Sequence, residues 1–316
     1  MKLIMINDCA SVGETLLKYM PKTVEKEHIK RTRRLWSKTF GIALKILRTK
    51  GDLYHVNYML QDCYIASRLG KKPLVGYSVG SDLRLYLNDW RWGRIVRHNI
   101  KKCDKVMVST PDLMSIAQHF RNDVEYLPPP VDPELFYPKP LVSHGGKKKV
   151  LISSSSSWEK GKGTHIAVRG LAELKYEIDV SIIAHGPDFS QTLELASSLG
   201  LHINVLPKVP HEHINEYYWN NDMIVDQFLC ECPGMTSLEA IACGRPAITN
   251  VSSDLPELAE FPLKGVNSEE KIAAAVRAAF ANDRLLIEEQ NYVAKYHKPE
   301  AVVTKLMNIY DSVMKG

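Results

Sequence analysis

The sequence predicts an α/β fold made of two doubly wound, parallel-sheet domains, one in each half of the chain. Three observations carry that expectation. Short apolar runs alternate with longer helix-spaced segments along nearly the whole length. The 316 residues exceed what one hydrophobic core usually holds, since such cores stop growing near ~250–300 residues. A proline-rich stretch separates one run of alternation from the next.

Taken in order, Lys2–Ile6, Leu53–Asn57, 74–77 and 105–109 read as buried strands, each an apolar run followed by a helix-spaced segment, which is the signature of βαβ units. From Tyr126 to Pro138 there are five prolines in thirteen residues. Proline lacks the backbone N–H and fixes φ, so this stretch can be neither helix nor interior strand and reads as a stiff, extended connector. The alternation then restarts, with strands expected at 150–153, 180–184, 204–206, 223–226 and 247–249 and helices at 164–174, 191–199, 212–219 and 235–243. From Ser268 the chain reads as helical, with a break at Pro299. The last helix repeats Val302, Val303, Leu306, Ile309, Tyr310 and Val313 at spacings of three and four, an apolar face that needs a partner. The expected domains are 1–137, 138–298 and a terminal helix at 299–316.

Apolar residues make up 45% and charged residues 24%, which excludes a disordered or collagen-like chain. Asp8 and Glu14 interrupt the N-terminal stretch, and no run of ~18 apolar residues occurs, so neither a signal peptide nor a spanning helix is expected and the cytoplasm is the expected location. Six cysteines at irregular spacings, without a CxxC pair, point to buried thiols rather than a zinc site or disulfides. The net charge of +5 is uneven: residues 1–140 carry 24 Lys+Arg against 14 Asp+Glu, the rest 17 against 22. The first half is therefore expected to meet an anion: a phosphorylated substrate, a membrane surface or nucleic acid.

Two segments carry chemistry. Ser153 to Thr164 (Ser-Ser-Ser-Ser-Ser-Trp-Glu-Lys-Gly-Lys-Gly-Thr) leaves a strand and enters a helix, placing backbone N–H groups, hydroxyls and two lysines at the positive end of a helix dipole. That suits phosphate; a serine-rich turn with solvated lysines is the alternative. Glu231 to Pro246 (Glu-Cys-Pro-Gly-Met-Thr-Ser-Leu-Glu-Ala-Ile-Ala-Cys-Gly-Arg-Pro) follows the strand ending at Asp226. Glu231 would lie in the loop, Gly234 would admit a ligand close to the backbone, and Glu239 would project from the new helix, so two carboxylates could accept from two sets of hydroxyls.

This second segment closely resembles the E-x7-E signature of the family-4 (group 1) nucleotide-sugar glycosyltransferases. Further likenesses occur in chain order. Asp52 to Asn57 (Asp-Leu-Tyr-His-Val-Asn) resembles that family's second-strand "DvvHvh", Gly80 to Leu83 its "HGxDl", Leu127 to Pro138 its "ipNGVDxxxFxP" linker, and Lys162-Gly163 its "KG". The resemblance implies the GT-B fold, two Rossmann-like domains facing a cleft, with the terminal helix crossing back to the first. It implies that 1–137 binds the acceptor and 138–298 the nucleotide sugar, with retention of anomeric configuration and neither metal nor other cofactor. Carried over, Lys162, Glu231 and Asp82 would be catalytic. Ser157, Lys160, Gly163, Val209 (with Lys208 beside it), Gly234, Met235, Thr236 and Glu239 would bind the donor, Glu239 through its ribose. Gly13, Ser78 and Gly80 would lie on the acceptor side. The pattern departs in two places: Ser153 to Trp158 hold no arginine ahead of the lysine, and Val79 stands where the histidine of "HGxDl" is expected.

The basic segment from His28 to Gly51 interleaves Lys30, Arg31, Arg33, Arg34, Lys38, Lys45, Arg48 and Lys50 with Leu35, Trp36, Phe40, Ile42, Leu44, Ile46 and Leu47. Its composition suits an anionic membrane surface and, with the family likeness, a glycan or lipid-linked acceptor. The alternatives are a same-fold nucleotide-sugar epimerase and a nucleic-acid-binding protein, the latter opposed by the absence of a nucleic-acid motif.

Overall fold

The computed structural model describes residues 1–31, 40–141, 145–159 and 161–315. Arg33, Arg34, Leu35, Trp36, Lys38 and Lys160 lie outside them. The chain forms two compact units, Met1–Pro130 with the chain from Lys298 onward, and Val131–His297.

Among the described residues, the first unit holds a six-stranded parallel sheet of β1 (Lys2–Ile6), β2 (Glu25–Ile29), β3 (Leu53–Asn57), β4 (Leu74–Ser78), β5 (Lys105–Val108) and β6 (Val124–Tyr126), in the order β2-β1-β3-β4-β5-β6. Helices α1 (Val12–Tyr19), α2 (Phe40–Arg48), α3 (Gln61–Arg68), α4 (Ser81–Arg84), α5 (Gly93–Lys102) and α6 (Asp112–Gln118) connect them. The four central strands are the four apolar runs. The sequence reading missed β2 and β6, and both are edges. An edge strand has one neighbour and an open flank, so Glu-Lys-Glu-His-Ile and the three-residue Val-Glu-Tyr can pair without a continuous apolar run.

Among the described residues, the second unit's five strands are β7 (Lys148–Ile152), β8 (Ile178–Ile183), β9 (Ile203–Leu206), β10 (Met223–Val225) and β11 (Ala247–Ile248), again parallel, ordered β11-β10-β7-β8-β9. Its helices are α7 (Thr164–Ala172), α8 (Phe189–Ser198), α9 (Ile214–Trp219), α10 (Met235–Ala242), α11 (Glu269–Ala281) and α12 (Arg284–Tyr296). The helix expected at 212–219 is a short 3₁₀ turn, His211–His213, running into α9. The units divide at Pro130 and Val131, ahead of the expected boundary at 137, because Val131 and Phe136 are buried in the second unit's core.

A last helix, α13 (Pro299–Lys315), belongs to the first unit. Val302, Val303, Leu306, Ile309 and Tyr310 are its buried face. The Tyr310 hydroxyl bonds Nδ1 of His55 on β3. His55 is fully buried, and burial pulls its pKa down to about 3, so the ring is neutral and part of the core.

Strand order fixes where each unit can bind a ligand. An open parallel sheet leaves a crevice where successive connections run to opposite sides, beyond the carboxyl ends of the strands. These points fall between β1 and β3 in the first unit and between β7 and β10 in the second.

Candidate functional site

At the second unit's switch point two loops are laced together. The loop after β7 enters α7 through Gly161 (φ 88°) and Gly163 (φ 62°), left-handed conformations that glycine adopts without a Cβ penalty. The carbonyls of Gly161 and Lys162 accept from Cys230 N (3.0 Å) and Phe228 N (2.9 Å) of the loop after β10. Ser157 is tied down by its N–H to Thr164 Oγ1 (3.1 Å), and its carbonyl accepts from Thr164 N (3.2 Å). Trp158 N donates to Asp188 Oδ2 (2.7 Å).

Lys162 is thereby held over the end of β10. Its Nζ donates to Gln227 Oε1 (2.7 Å) and lies 3.7 Å from Asp226 Oδ1. Asp226 is fully buried, and its other oxygen accepts from Ser237 Oγ (2.8 Å) and Ser237 N (3.3 Å) in the first turn of α10. The Oγ atoms of Ser156 and Ser157 are buried without a hydrogen-bond partner among the described residues. Sequence reasoning missed Asp226 and Gln227 as site residues, although the strand end just before Glu231 was in view.

Gly234 caps α10 in an extended conformation (φ −82°, ψ 170°), so space rather than backbone freedom demands glycine. A Cβ here would stand 2.5 Å from Asp226 Oδ2 and 3.2 Å from Gln227 Oε1. Gly234→Ala is therefore expected to displace both side chains and cost about 1–3 kcal/mol, as a denaturant midpoint would report. In the helix that follows, Met235 and Thr236 are half-buried, and helix geometry leaves their N–H groups without intrahelical acceptors.

The two glutamates sit in different surroundings. Glu231 is exposed, in a bend whose carbonyl accepts from Ser252 N (3.0 Å). Glu239 is only 3% exposed. Its Oε1 bonds His211 Nε2 (2.7 Å), and its Oε2 accepts from the Tyr218 hydroxyl (3.1 Å). Burial, then the Glu239 charge, push the Tyr218 pKa up, which keeps that hydroxyl protonated as a donor. Neither partner was legible in the sequence, because each lies more than twenty residues away on other elements, outside any local motif. Val209 is half-buried and Lys208 exposed in the loop after β9.

At the first unit's switch point, Gly13 N donates to Asp8 Oδ1 (3.0 Å), and a Cβ on Gly13 would meet Asn57 Nδ2 at 2.6 Å. Asn7, Ala10, Ser11 and Tyr58, in the loops after β1 and β3, have φ between 53° and 74°, a strained conformation for non-glycine residues. Asp82, expected on the acceptor side, faces inward. It is fully buried: Oδ2 accepts from Met59 N (2.8 Å), and Oδ1 accepts from Ser78 Oγ (2.7 Å), Gly80 N (3.0 Å) and Leu83 N (3.2 Å). Burial raises its pKa against the pull of those hydrogen bonds. Asp82 thus clamps the loop after β4, with both oxygens engaged by donors of the protein itself. Ser78 spends its hydroxyl on the same clamp, and Gly80 (φ 128°) takes a turn closed to other residues.

Among the described residues, no group of three or more His, Cys, Asp or Glu is placed to hold a metal ion. No helix there is long and apolar enough to cross a membrane.

Comparison with known proteins places this geometry. Residues 138–298 match the profile of the family described as "Glycosyl transferases group 1". The chain is 23% identical to N-acetyl-alpha-D-glucosaminyl L-malate synthase of Bacillus anthracis over 291 residues, 84% of this chain and 75% of that one. It is 26% identical to GDP-mannose-dependent alpha-(1-6)-phosphatidylinositol monomannoside mannosyltransferase of Mycolicibacterium smegmatis over 156 residues, 42% of this chain and 40% of that one. Among solved structures, sucrose-phosphate synthase from Thermosynechococcus elongatus superposes over the whole of both chains with a TM-score of 0.73 at 14% identity. Anabaena Alr3699/HepE in complex with UDP and glucose does so over 99% of this chain and 100% of that one, with a TM-score of 0.71 at 13% identity. The architecture is GT-B, with one Rossmann-like sheet in each unit. Since the family profile spans half the sequence and contains both laced loops, this chain belongs to the group 1 glycosyl transferases.

Proposed function

We propose that the protein is a retaining hexosyltransferase that takes its sugar from a nucleoside diphosphate donor bound by the second unit. The observation that supports this most is the Lys162 amine, anchored by Gln227 and the buried Asp226 beside the first turn of α10. As the glycosidic C–O bond to phosphate breaks, negative charge builds on the departing diphosphate. Lys162 and the N–H groups of Met235 and Thr236 meet that charge, and they stabilise it more in the transition state than in the bound donor. Ser157 and Lys160 supply further phosphate contacts, Gly163 and Gly234 allow the close approach, and Val209 lines the base. The exposed Glu231 holds the donor sugar and Glu239 the ribose. The acceptor oxygen attacks the face that the diphosphate leaves and gives its proton to a diphosphate oxygen, so configuration is retained and no metal is required.

The acceptor, on this reading, is a glycan or lipid-linked sugar at an anionic membrane face. On α2, Phe40, Leu44 and Leu47 are 74%, 45% and 53% exposed, while Ile42 and Ile46 face the core, and Lys45 and Arg48 flank the exposed side. A solvated apolar stripe with cations beside it matches an anionic interface. The double variant Leu44→Glu and Leu47→Glu is expected to lose most of its sedimentation with vesicles containing anionic lipid and to keep its melting temperature. Equal pelleting of the parent protein with neutral and anionic vesicles would remove the membrane from the proposal. In that event a small carboxylic acid, like the L-malate in the name of the B. anthracis relative, becomes the first acceptor to assay.

A thermal-shift panel of UDP-, GDP-, ADP- and CMP-sugars tests the donor. One of them, at ~100 times its dissociation constant, is expected to stabilise the protein by about 2.7 kcal/mol. Turnover with that donor is expected to survive EDTA. Stabilisation by none of the panel would sink the donor assignment.

A further inference from the structure

We infer that His211 is the positioning residue that aims Glu239 at a ribose diol, and so sets the preference for ribonucleotide over deoxyribonucleotide donors. The inference rests on the reading of Glu239 as the ribose carboxylate and goes on to identify what holds it.

A carboxylate has about four lone-pair sites, two on each oxygen. In Glu239 one site on Oε1 is taken by His211 Nε2 at 2.7 Å and one on Oε2 by the Tyr218 hydroxyl at 3.1 Å. Because the carboxylate can only accept, Nε2 carries the proton in this pair. Among the described residues that leaves two sites, one on each oxygen, which is the number a vicinal 2′,3′-diol can donate to. With 3% exposure, Glu239 has almost no solvent to set its rotamer, so these two donors decide where the remaining lone pairs point.

The His211 ring is itself braced. Phe136, from the proline-rich segment, lies with its ring centroid 5.4 Å from that of His211 and 6.3 Å from that of Tyr218. His211 also lies two residues beyond Val209, on the loop assigned to the base, and Tyr217 fixes that loop by donating to the Pro207 carbonyl (2.9 Å). The loop that meets the base and the carboxylate that meets the ribose are thus joined through one hydrogen bond. A nucleotide lacking the diol would leave two lone pairs of a buried carboxylate unpaired, the kind of loss that gives strong discrimination.

Calorimetric titration with UDP, GDP and ADP identifies the nucleotide that binds, and its 2′,3′-dideoxy form is then titrated in parallel. The parent protein is expected to prefer the ribonucleotide by at least about tenfold, as expected for hydrogen bonds to a charged group. His211→Phe keeps a ring against Phe136 and removes the donor. It is expected to lose about tenfold in affinity for the ribonucleotide with little change for the dideoxy form, and His211→Gln, which restores an N–H, to recover part of the preference. Should the phenylalanine variant fail to fold, His211→Ala carries the same comparison. An undiminished preference in a folded variant without the donor overturns the role of His211. No nucleotide binding by the parent, or equal binding of both forms, instead overturns the underlying assignment of Glu239.

Discussion

Lys162→Ala is expected to fold and to lose about 10²–10³ in kcat, equivalent to ~3–4 kcal/mol of transition-state stabilisation, the usual effect of removing one preorganised donor from a developing anion. The fold should survive because the loop is held by backbone: the Lys162 carbonyl accepts from Phe228 N whatever the side chain. Asp226 keeps both bonds from Ser237, and the lysine amine stands 3.7 Å from its other oxygen, beyond hydrogen-bond distance. The half-buried ammonium thus has Gln227 as its one close hydrogen-bond partner among the described residues. Lys162→Arg should recover only part of the rate, since a planar fork does not reproduce a point charge seated on one amide oxygen. Circular dichroism fixes the fold and steady-state kinetics the rate. A normal kcat in folded Lys162→Ala would contradict the assignment.

Asp82→Ala is expected to act on stability instead, lowering it by on the order of 3–5 kcal/mol. Met59 N and Gly80 N would lose their acceptor inside a fully buried site, and an unsatisfied buried donor costs ~1–3 kcal/mol. Leu83 N retains the Gly80 carbonyl at 3.1 Å, and Ser78 can turn its hydroxyl, so the loss falls mainly on two groups. Asp82→Asn should be intermediate, since one amide oxygen still accepts while the NH₂ faces a donor. Urea denaturation measures the loss. The decisive comparison is turnover per folded molecule in Asp82→Asn: a clamp leaves it within several-fold of normal, whereas a group acting on substrate would lower it by ~10² or more.

These two residues mark how far the sequence could be read. The central strands β1, β3, β4 and β5 announce themselves because burial on both faces demands unbroken apolar runs, and the second unit's alternation was legible for the same reason. Edges were not, as β2 shows with its two glutamates. Lys162, Gly163 and Gly234, which the structure brings to the second unit's switch point, could be singled out because loop patterns are local: a glycine and the lysine beside it are neighbours in the chain. Asp82 could not be assigned in that way, since whether a carboxylate in a tight loop faces outward or inward depends on Met59 and Ser78 reaching it from the ends of β3 and β4. The partners of Glu239 were hidden likewise, because a hydrogen bond from His211 forms only once α9, α10 and the loop after β9 have packed together.

The return of α13 to the first unit also sets an order of assembly. Residues 131–297 form an uninterrupted stretch, so the second unit is in effect inserted into the first and has its entire sequence on hand before the first does. During synthesis on the ribosome, the nascent first unit waits with the Tyr310 seat beside His55 vacant until the closing segment emerges. Maturation of that unit is thereby coupled to translation having passed through the second one.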